Sequence, residues 1–146
     1  MRRRLASTCV LLLASFAARA DVIVPPAAIV KSPDMIDFHA SGSLPPGAEY
    51  HLMYEDKTSH AVTTLVRMPR GYFLPAHSHS FDELIFVQKG KLILGIGGQE
   101  KTLDAGGYAV IPAGTDFTMK AAGFSGAQFI ASLNGPFDIK PAKISP

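Results

Sequence analysis

Residues 71–90 read GYFLPAHSHSFDELIFVQKG, and this stretch carries most of the information about the fold of the chain. Two runs rich in apolar and aromatic residues flank the histidines His77 and His79 and the glutamate Glu83. Residues two apart on a β-strand point to the same face, so both imidazoles lie on one side of a strand. After a short bend, the carboxylate of Glu83 can return toward them. Two imidazoles and a carboxylate in one cavity predict a divalent-metal site with open coordination positions.

The same kind of sequence continues on both sides of this stretch. From Ala48 onward, short runs rich in valine, isoleucine, threonine and aromatic residues alternate with glycine or proline turns, roughly every 8 to 12 residues, which is typical of an all-β sandwich or barrel. Gln88-Lys89-Gly90 and Gly97-Gly98 predict hairpin turns, because glycine tolerates the positive φ that such turns require. We predict strands at 50–54, 61–68, 73–79, 83–88, 91–96, 99–103, 108–111, 116–121 and 127–133.

The chain of 146 residues has room for one domain behind an N-terminal segment with the parts of a secretory signal. Residues 1–4 are charged, residues 5–17 are apolar, and Ala18-Arg19-Ala20 ends the segment with small residues. The apolar run is shorter than the roughly 18 to 20 residues that span a bilayer. We therefore expect a signal peptide at 1–20 and a periplasmic or secreted protein with no membrane association after cleavage. An extended lead-in at 21–47, a β-barrel at 48–135 and a tail at 136–146 follow.

The charge of the chain argues against nucleic acid as a partner. The formal net charge is +2, but four arginines lie in residues 1–20; without them Lys plus Arg falls from 14 to 10 against 12 Asp plus Glu, which leaves −2. Binding to phosphate backbones needs a basic patch, and none appears downstream. The single cysteine, Cys9, also lies in the predicted signal, so the exported chain has no thiolate ligand.

Two glycine-anchored motifs give the chain a family resemblance. The first reads G-x5-H-x-H-x3-E-x6-G and the second reads G-x5-P-x-G, formed in turn by Gly71, His77, His79, Glu83, Gly90 and by Gly106, Pro112, Gly114. They resemble the two signatures of the cupin superfamily, over residues 50–133. The ending Gly135-Pro136-Phe137 is similar to that of small single-domain cupins. The resemblance implies a double-stranded β-helix, or jelly-roll, barrel. It also implies a metal held by the first-motif histidines and glutamate together with one histidine of the second motif.

The sequence departs from the family pattern at that last histidine. Phe117 stands at the expected position, and Ala121 replaces the later asparagine of the motif. Three interpretations stay open. Metal could bind through three protein ligands; the site could have decayed into a pocket for an organic ligand, with His77 and His79 as hydrogen-bonding groups or bases; or His51 or His60 could supply the missing imidazole.

The wall of the predicted pocket follows from strand alternation. Val62, Thr64, Val66 and Met68 share one face, which we expect to be the interior. Adjacent residues face opposite ways, so Asp82 points outward if Glu83 points inward. Five phenylalanines either line a cavity or pack in the core: Phe73, Phe81, Phe86, Phe117 and Phe129. Four polar residues either contact a ligand or lie on the surface: Tyr50, Tyr54, Gln88 and Gln128.

Three functions are compatible with these features. The first is an exported metal-dependent cupin, such as an oxygenase, that uses Fe, Mn, Ni or Zn at His77, His79 and Glu83 on a small-molecule substrate. The second is a non-catalytic module that binds a small molecule beside a degenerate metal site. The third is a structural protein with a vestigial site. The resemblance is also compatible with a homodimer.

Overall fold

A computed structural model describes residues 28–142 of the chain. The predicted signal peptide at 1–20 lies outside the described residues, and so does the start of the predicted lead-in, residues 21–27. The domain described below begins at Lys31. None of the helices in the described part has the length and apolar character needed to cross a membrane.

The described domain consists almost entirely of β-strands joined by short turns. A single 3-10 turn occupies Pro33–Met35. Within residues 28–142 the strands are β1 His39–Ala40, β2 Glu49–Glu55, β3 Val62–Met68, β4 Phe73–Ser78, β5 Glu83–Ile96, β6 Gln99–Asp104, β7 Tyr108–Ile111, β8 Phe117–Ala121, β9 Ala127–Leu133 and β10 Lys140–Pro141. The predicted all-β class is confirmed. The predicted strands match in position to within a residue at each end, except that those at 83–88 and 91–96 form one strand.

The long strand β5 joins two antiparallel sheets. Its first half pairs with β9 and β7, in a sheet that continues from β9 through β3 and β2 to β1. Its second half pairs with β8 and β6, in a sheet that continues from β8 through β4 to β10. One strand therefore holds both sheets together, and the apolar faces of the sheets enclose a common core.

The predicted hairpin at Gln88-Lys89-Gly90 is wrong. Residues 83–96 form one strand, which shifts register at a bulge between Val87 and Lys89 as it passes from one sheet to the other. Gly90 has φ +76°, and a Cβ there would lie 1.9 Å from the carbonyl oxygen of Gly126. A turn and a bulge both select glycine, so the residue type alone could not distinguish them. The hairpin at Gly97-Gly98 is confirmed, with φ angles of +57° and +77°.

Strand alternation places the core as predicted on β3. Val62, Val66 and Met68 are buried, and Thr64 lies beside them on the inner face. Each large apolar side chain removed from water contributes roughly 1.5–3 kcal/mol, so these rows supply much of the driving force for closing the two sheets on each other. The largest fully buried side chains are Phe117, Phe129, Ile85, Leu92, Leu94, Leu133 and Val87.

Residues on both sides of the main strand series also join the sheets. In the lead-in, β1 pairs with β2 through His39 and Tyr50. Near the C-terminus, β10 pairs with β4, with Lys140 opposite Ser78 and Pro141 opposite His77. Strands of two residues have no periodicity to detect in a sequence. The pairing of β10 matters for function because it reaches the histidine-bearing strand.

Candidate metal centre

The predicted ligands come from the end of one strand and the start of the next. His77 lies in β4, His79 follows the last residue of β4, and Glu83 is the first residue of β5. Their side chains are buried, with exposures of 3%, 5% and 5%. The bend between β4 and β5 therefore turns the carboxylate inward, as the spacing of the first motif predicts.

The second motif holds this bend in place. The backbone N–H of Gly114 donates to the carbonyl of His79 at 2.9 Å. The carboxylate of Asp82 accepts from the backbone N–H of Ala113 at 2.8 Å, which confirms that Asp82 points away from the interior. The second motif is thus joined by two hydrogen bonds to the bend that precedes the glutamate.

All three predicted ligands line one small cavity, which we call the inner cavity. Its volume is about 40 Å³, and its apolar wall includes Met68 and Phe129. About 10–15 Å³ suffices for one water molecule, whereas pockets for drug-sized ligands reach about 300–1,000 Å³. The inner cavity therefore has room for an ion with a water molecule and is too small for an organic substrate.

Backbone carbonyl groups orient both imidazoles. The Nδ1 of His77 lies 2.8 Å from the carbonyl oxygen of Pro75, and the Nδ1 of His79 contacts the carbonyl oxygen of Asp138. A carbonyl can only accept, so each Nδ1 carries the hydrogen and each Nε2 keeps a free lone pair. The Nε2 of His79 lies 3.6 Å from a carboxylate oxygen of Glu83. This is the tautomer that a metal-ligating histidine needs.

Burial shifts the pKa values of all three groups toward their neutral forms. Desolvation is the largest cause of the lowered pKa of both His77 and His79. Desolvation raises the pKa of Glu83 to about 8. One carboxylate oxygen of Glu83 is buried and has no hydrogen-bond partner within residues 28–142. An unsatisfied buried oxygen next to neutral imidazoles is an environment that a cation would stabilise.

The three side chains do not form a finished coordination sphere. Across residues 28–142, no three His, Cys, Asp or Glu side chains lie close enough together to hold a metal ion as they stand. The structure thus brings the predicted residues to one cavity with the histidine tautomers that suit a metal ion. The assignment of a metal to them stays a prediction.

Phe117 faces this cluster directly. It pairs with His77 across β4 and β8, and its ring centroid lies 4.3 Å from that of His77 and 5.9 Å from that of His79. Its side chain is 1% exposed. The second motif therefore faces the first, and a hydrocarbon ring occupies the position from which a fourth ligand would come.

Neither of the two remaining candidate histidines replaces the missing ligand. The ring nitrogens of His51 contact the carbonyl of Asp37 at 2.9 Å and the ammonium of Lys31 at 3.4 Å, away from the inner cavity. His60 is exposed and pairs with Glu55 at 2.9 Å. The interpretation that His51 or His60 rescues the site is wrong, because neither side chain lines the cavity.

The predicted aromatic wall is correct in part. Phe129 lines the inner cavity and Phe117 packs on the histidines. Phe73 and Phe86 are 52% and 39% exposed, so their predicted place in the wall is wrong. Phe81 packs against Gly135, where a Cβ would lie 2.6 Å from its ring. Alternation explains the error at Phe86: Glu83 and Ile85 point inward, so Leu84 and Phe86 lie on the outer face of the strand.

The candidate polar contacts lie outside the inner cavity. Gln128 donates to Gln88 at 3.0 Å, and Tyr54 donates to Asp56 at 3.3 Å. Tyr50 is partly exposed and lines a larger neighbouring pocket. Within residues 28–142, none of these side chains lines the inner cavity with His77 and His79.

Two site residues come from a segment that the sequence analysis assigned to a tail. The ring of Phe137 lies 5.8 Å, centroid to centroid, from that of His79. The carboxylate of Asp138 accepts from the backbone N–H of Ser80 at 2.9 Å and from the Ser80 hydroxyl. Gly135-Pro136-Phe137 was noted only as a resemblance, and nothing in its spacing indicates a contact with residues 59 positions earlier.

A larger pocket, which we call the outer chamber, adjoins the inner cavity. It has a volume of about 360 Å³ and lies between β2, β3 and the loop at 41–44. Four residues line both spaces: Leu44, Thr64, Val66 and Phe137. The site therefore has two compartments, a small one that contains the candidate ligands and a wider one beside it.

Comparison with known proteins identifies the domain. Residues 64–132 match the family described as "Cupin domain". The chain carries a cupin domain. This match includes His77, His79, Glu83 and Phe117, so the cupin domain spans both motifs. No curated protein matches the chain in sequence.

Solved cupin-like structures share the fold at low sequence identity. The polyketide cyclase RemF from Streptomyces resistomycificus gives a TM-score of 0.69 at 13% identity, covering 82% of this chain and 88% of its own. KdgF from Halomonas sp. gives 0.62 at 18% identity, covering 81% and 97%. A candidate acetylacetone dioxygenase from Methylibium petroleiphilum PM1 gives 0.62 at 21% identity, covering 84% and 90%. These similarities show the fold, and the names of the neighbours differ in function.

Proposed function

We propose that this protein is an exported cupin, with a jelly-roll barrel, that binds a divalent metal ion through His77, His79 and Glu83 and acts on a small molecule. The observation that carries the proposal is the buried, unpartnered oxygen of Glu83 beside the free Nε2 of His79, 3.6 Å away. Two imidazoles and a carboxylate suit Fe, Mn, Ni or Zn. Burial raises the pKa of Glu83 to about 8, and a bound cation would favour its carboxylate form.

The surrounding residues support this proposal in three ways. Pro75 and Asp138 hold the histidine tautomers through their carbonyl groups. Phe117 and Phe129 exclude water and so strengthen electrostatic interactions at the ligands. Because Phe117 supplies no donor atom, a position remains open to an external ligand. When bound, the ion would activate water, oxygen or a carbonyl group placed at that position.

A second candidate function is a non-catalytic module that binds a small molecule. The outer chamber, at about 360 Å³, falls within the size range of ligand pockets, and this observation favours binding regardless of metal. Phe117 stands where the family has a metal-binding histidine, and this replacement is compatible both with a three-ligand metal site and with a site that has lost its metal. The two functions differ in whether His77 and Glu83 are needed for metal retention.

Elemental analysis of the purified chain tests the metal proposal. Protein prepared without added metal should contain about one equivalent of a divalent transition metal. His77→Ala and Glu83→Gln should lose it, whereas His39→Ala, which removes an exposed histidine of β1, should retain it. Absence of metal, or equal metal in all four proteins, would favour the non-catalytic module.

We also propose export, on the basis of the signal-like residues 1–20. Intact mass measured on protein from the cell envelope or medium should correspond to a chain that begins at Asp21. Recovery of the uncleaved chain from the cytosol would overturn this proposal. A homodimer stays a prediction, and light scattering during size-exclusion chromatography would decide it.

A further inference from the structure

The outer chamber and the inner cavity are separated by very little protein. Thr64, Val66 and Phe137 line both spaces, so each of these side chains has one surface toward the candidate ligands and another toward the chamber. A molecule that fills the chamber is therefore one side chain away from the histidines.

Among the side chains that separate the outer chamber from the inner cavity, Phe137 is the most exposed. It is 44% exposed, while its ring packs on His79. The next residue, Asp138, is anchored to Ser80 by hydrogen bonds from both the backbone N–H and the hydroxyl. The ring thus stands on a fixed backbone between the larger compartment and the metal centre.

The wall of the outer chamber carries no free positive charge. It is mostly apolar, with side chains such as Leu52 and Val62. Glu55 and His60, its acidic and imidazole side chains, pair with each other at 2.9 Å. No lysine or arginine occurs among the described residues that line it. An anionic ligand would lose its hydration there without gaining a counter-charge, which is costly in an apolar pocket.

Basic side chains are available elsewhere on the domain. A groove of about 330 Å³ is lined by Arg67 and Lys89. Arg67 follows the inward-facing Val66 and precedes the inward-facing Met68 on β3, so it points to the opposite face of the strand from the chamber. The lack of positive charge is therefore a property of the chamber, and Arg67, the basic residue of β3, lies on the other face of that strand.

From these features we propose that the outer chamber binds a neutral or cationic, largely apolar small molecule and excludes anions of the same size. With a volume near the lower end of ligand pockets, the chamber suits a molecule of about one or two rings. The step in which this ligand passes Phe137 and reaches a metal rests on the proposed function. Binding of the ligand in the outer chamber is independent of that function.

A series of three ligands that share one ring system tests the charge preference. 2-Naphthol, protonated 2-(aminomethyl)naphthalene and 2-naphthoate are titrated at pH 7 into chelator-treated protein, and binding is followed by calorimetry. The neutral and cationic compounds should bind saturably, and the anion at least tenfold more weakly. Equal or tighter binding of 2-naphthoate, or no binding of any compound, would overturn the inference.

A matched pair of variants locates the binding site. Leu52 and Leu84 are each 43% exposed, but only Leu52 lines the chamber. Leu52→Arg adds a positive charge to the wall and should reverse the preference toward 2-naphthoate. Leu84→Arg, on the outer face of β5, should leave the order unchanged. Thermal unfolding establishes that both variants are folded, and an equal effect of both would contradict the assignment to the chamber.

Paramagnetic relaxation tests the position next to the metal centre. With Mn²⁺ bound, the proton signals of 2-naphthol should broaden strongly, and this broadening should be absent with Zn²⁺ or in His77→Ala. Metal retention without ligand binding would overturn this inference and leave the proposed function standing. Ligand binding by a chain that retains no metal would instead overturn the proposed metal function and leave the proposal of binding in the chamber standing.

Discussion

The ring of Phe117 lies 4.3 Å, centroid to centroid, from the imidazole of His77, on the strand that pairs with the histidine-bearing strand. This relationship shows that the position of the missing fourth ligand faces the other candidate ligands. The site therefore lacks a donor atom at this position while keeping the arrangement of strands that would present one. It follows that the chemistry of the site can be altered by a single side chain.

Phe117→His should tighten divalent-metal binding by about tenfold or more, which corresponds to about 1.4 kcal/mol. The added imidazole would lie against His77 and His79, as the phenyl ring does, and the metal-free variant should be less stable because a buried phenyl ring is lost. Competition with a chelator measures the affinity. Phe73→His, on the exposed face of β4, serves as the control and should change nothing. Equal affinity in a folded Phe117→His variant would contradict the placement of Phe117 at the metal centre.

The stability of the metal-free protein should depend on the ionisation of Glu83. Its pKa of about 8 lies above the ordinary 4.5, so its contribution to stability is present below pH 4.5 and is lost as the pH rises through 8. The loss is on the order of a few kcal/mol, since each pKa unit corresponds to about 1.4 kcal/mol. His77 and His79 act in the opposite direction, because their lowered pKa values make acidification below about 6.5 destabilising.

The difference between wild type and Glu83→Gln isolates the contribution of the glutamate. In urea unfolding without metal, the variant should gain stability over wild type as the pH rises from 5 to 9. Glu100→Gln, at an exposed position on β6, should track wild type throughout. Parallel pH curves for wild type and Glu83→Gln would show that the carboxylate is not buried as described.

The anchor at Asp138 should matter for metal affinity without being a ligand itself. Ser80→Ala removes a hydrogen bond that holds Asp138, whose carbonyl in turn orients His79. Loss of such an orienting contact typically weakens metal binding by about 10- to 100-fold. Asp104→Asn, in an exposed ion pair with Lys91, is the control. Unchanged affinity in Ser80→Ala, combined with an unchanged imidazole spectrum of His79, would show that residues 136–142 do not support the site.

Gly90→Ala should destabilise the domain by more than about 3 kcal/mol. The new Cβ would lie 1.9 Å from the carbonyl oxygen of Gly126, at a residue with positive φ. Gly42→Ala is the matched control, since nothing lies within 4 Å of the corresponding position. Denaturant unfolding measures the stability of both variants. Similar stability would contradict the close approach of Gly90 to the backbone of Gly126.

The first motif was sufficient to predict most of the site because its information is local. The alternation of His77 and His79, and the inward turn of Glu83, follow from strand geometry within seven residues. The inner face of β3 was likewise predictable from Val62, Val66 and Met68. These features depend on period-2 spacing, which a single sequence displays directly.

The remainder depends on contacts between distant residues. Gly90 could mark either a hairpin or a bulge, and only the approach of Gly126 decides between them. Phe137 and Asp138 reach His79 because β10 pairs with β4, and a two-residue strand leaves no periodic signal. Phe73 and Phe86 were wrongly placed in the cavity wall because the prediction rested on their aromatic character and not on the strand register, which sets the face each side chain occupies. Tertiary pairing, which the sequence does not display, fixes all of these positions.

Anomalous diffraction from a crystal of the metal-loaded protein would show whether His77, His79 and Glu83 bind the ion. We expect one strong peak in the inner cavity, about 2.0–2.2 Å from the Nε2 atoms of His77 and His79 and from a carboxylate oxygen of Glu83. A cavity without a peak under saturating metal, or a peak bound by other side chains, would contradict the assignment.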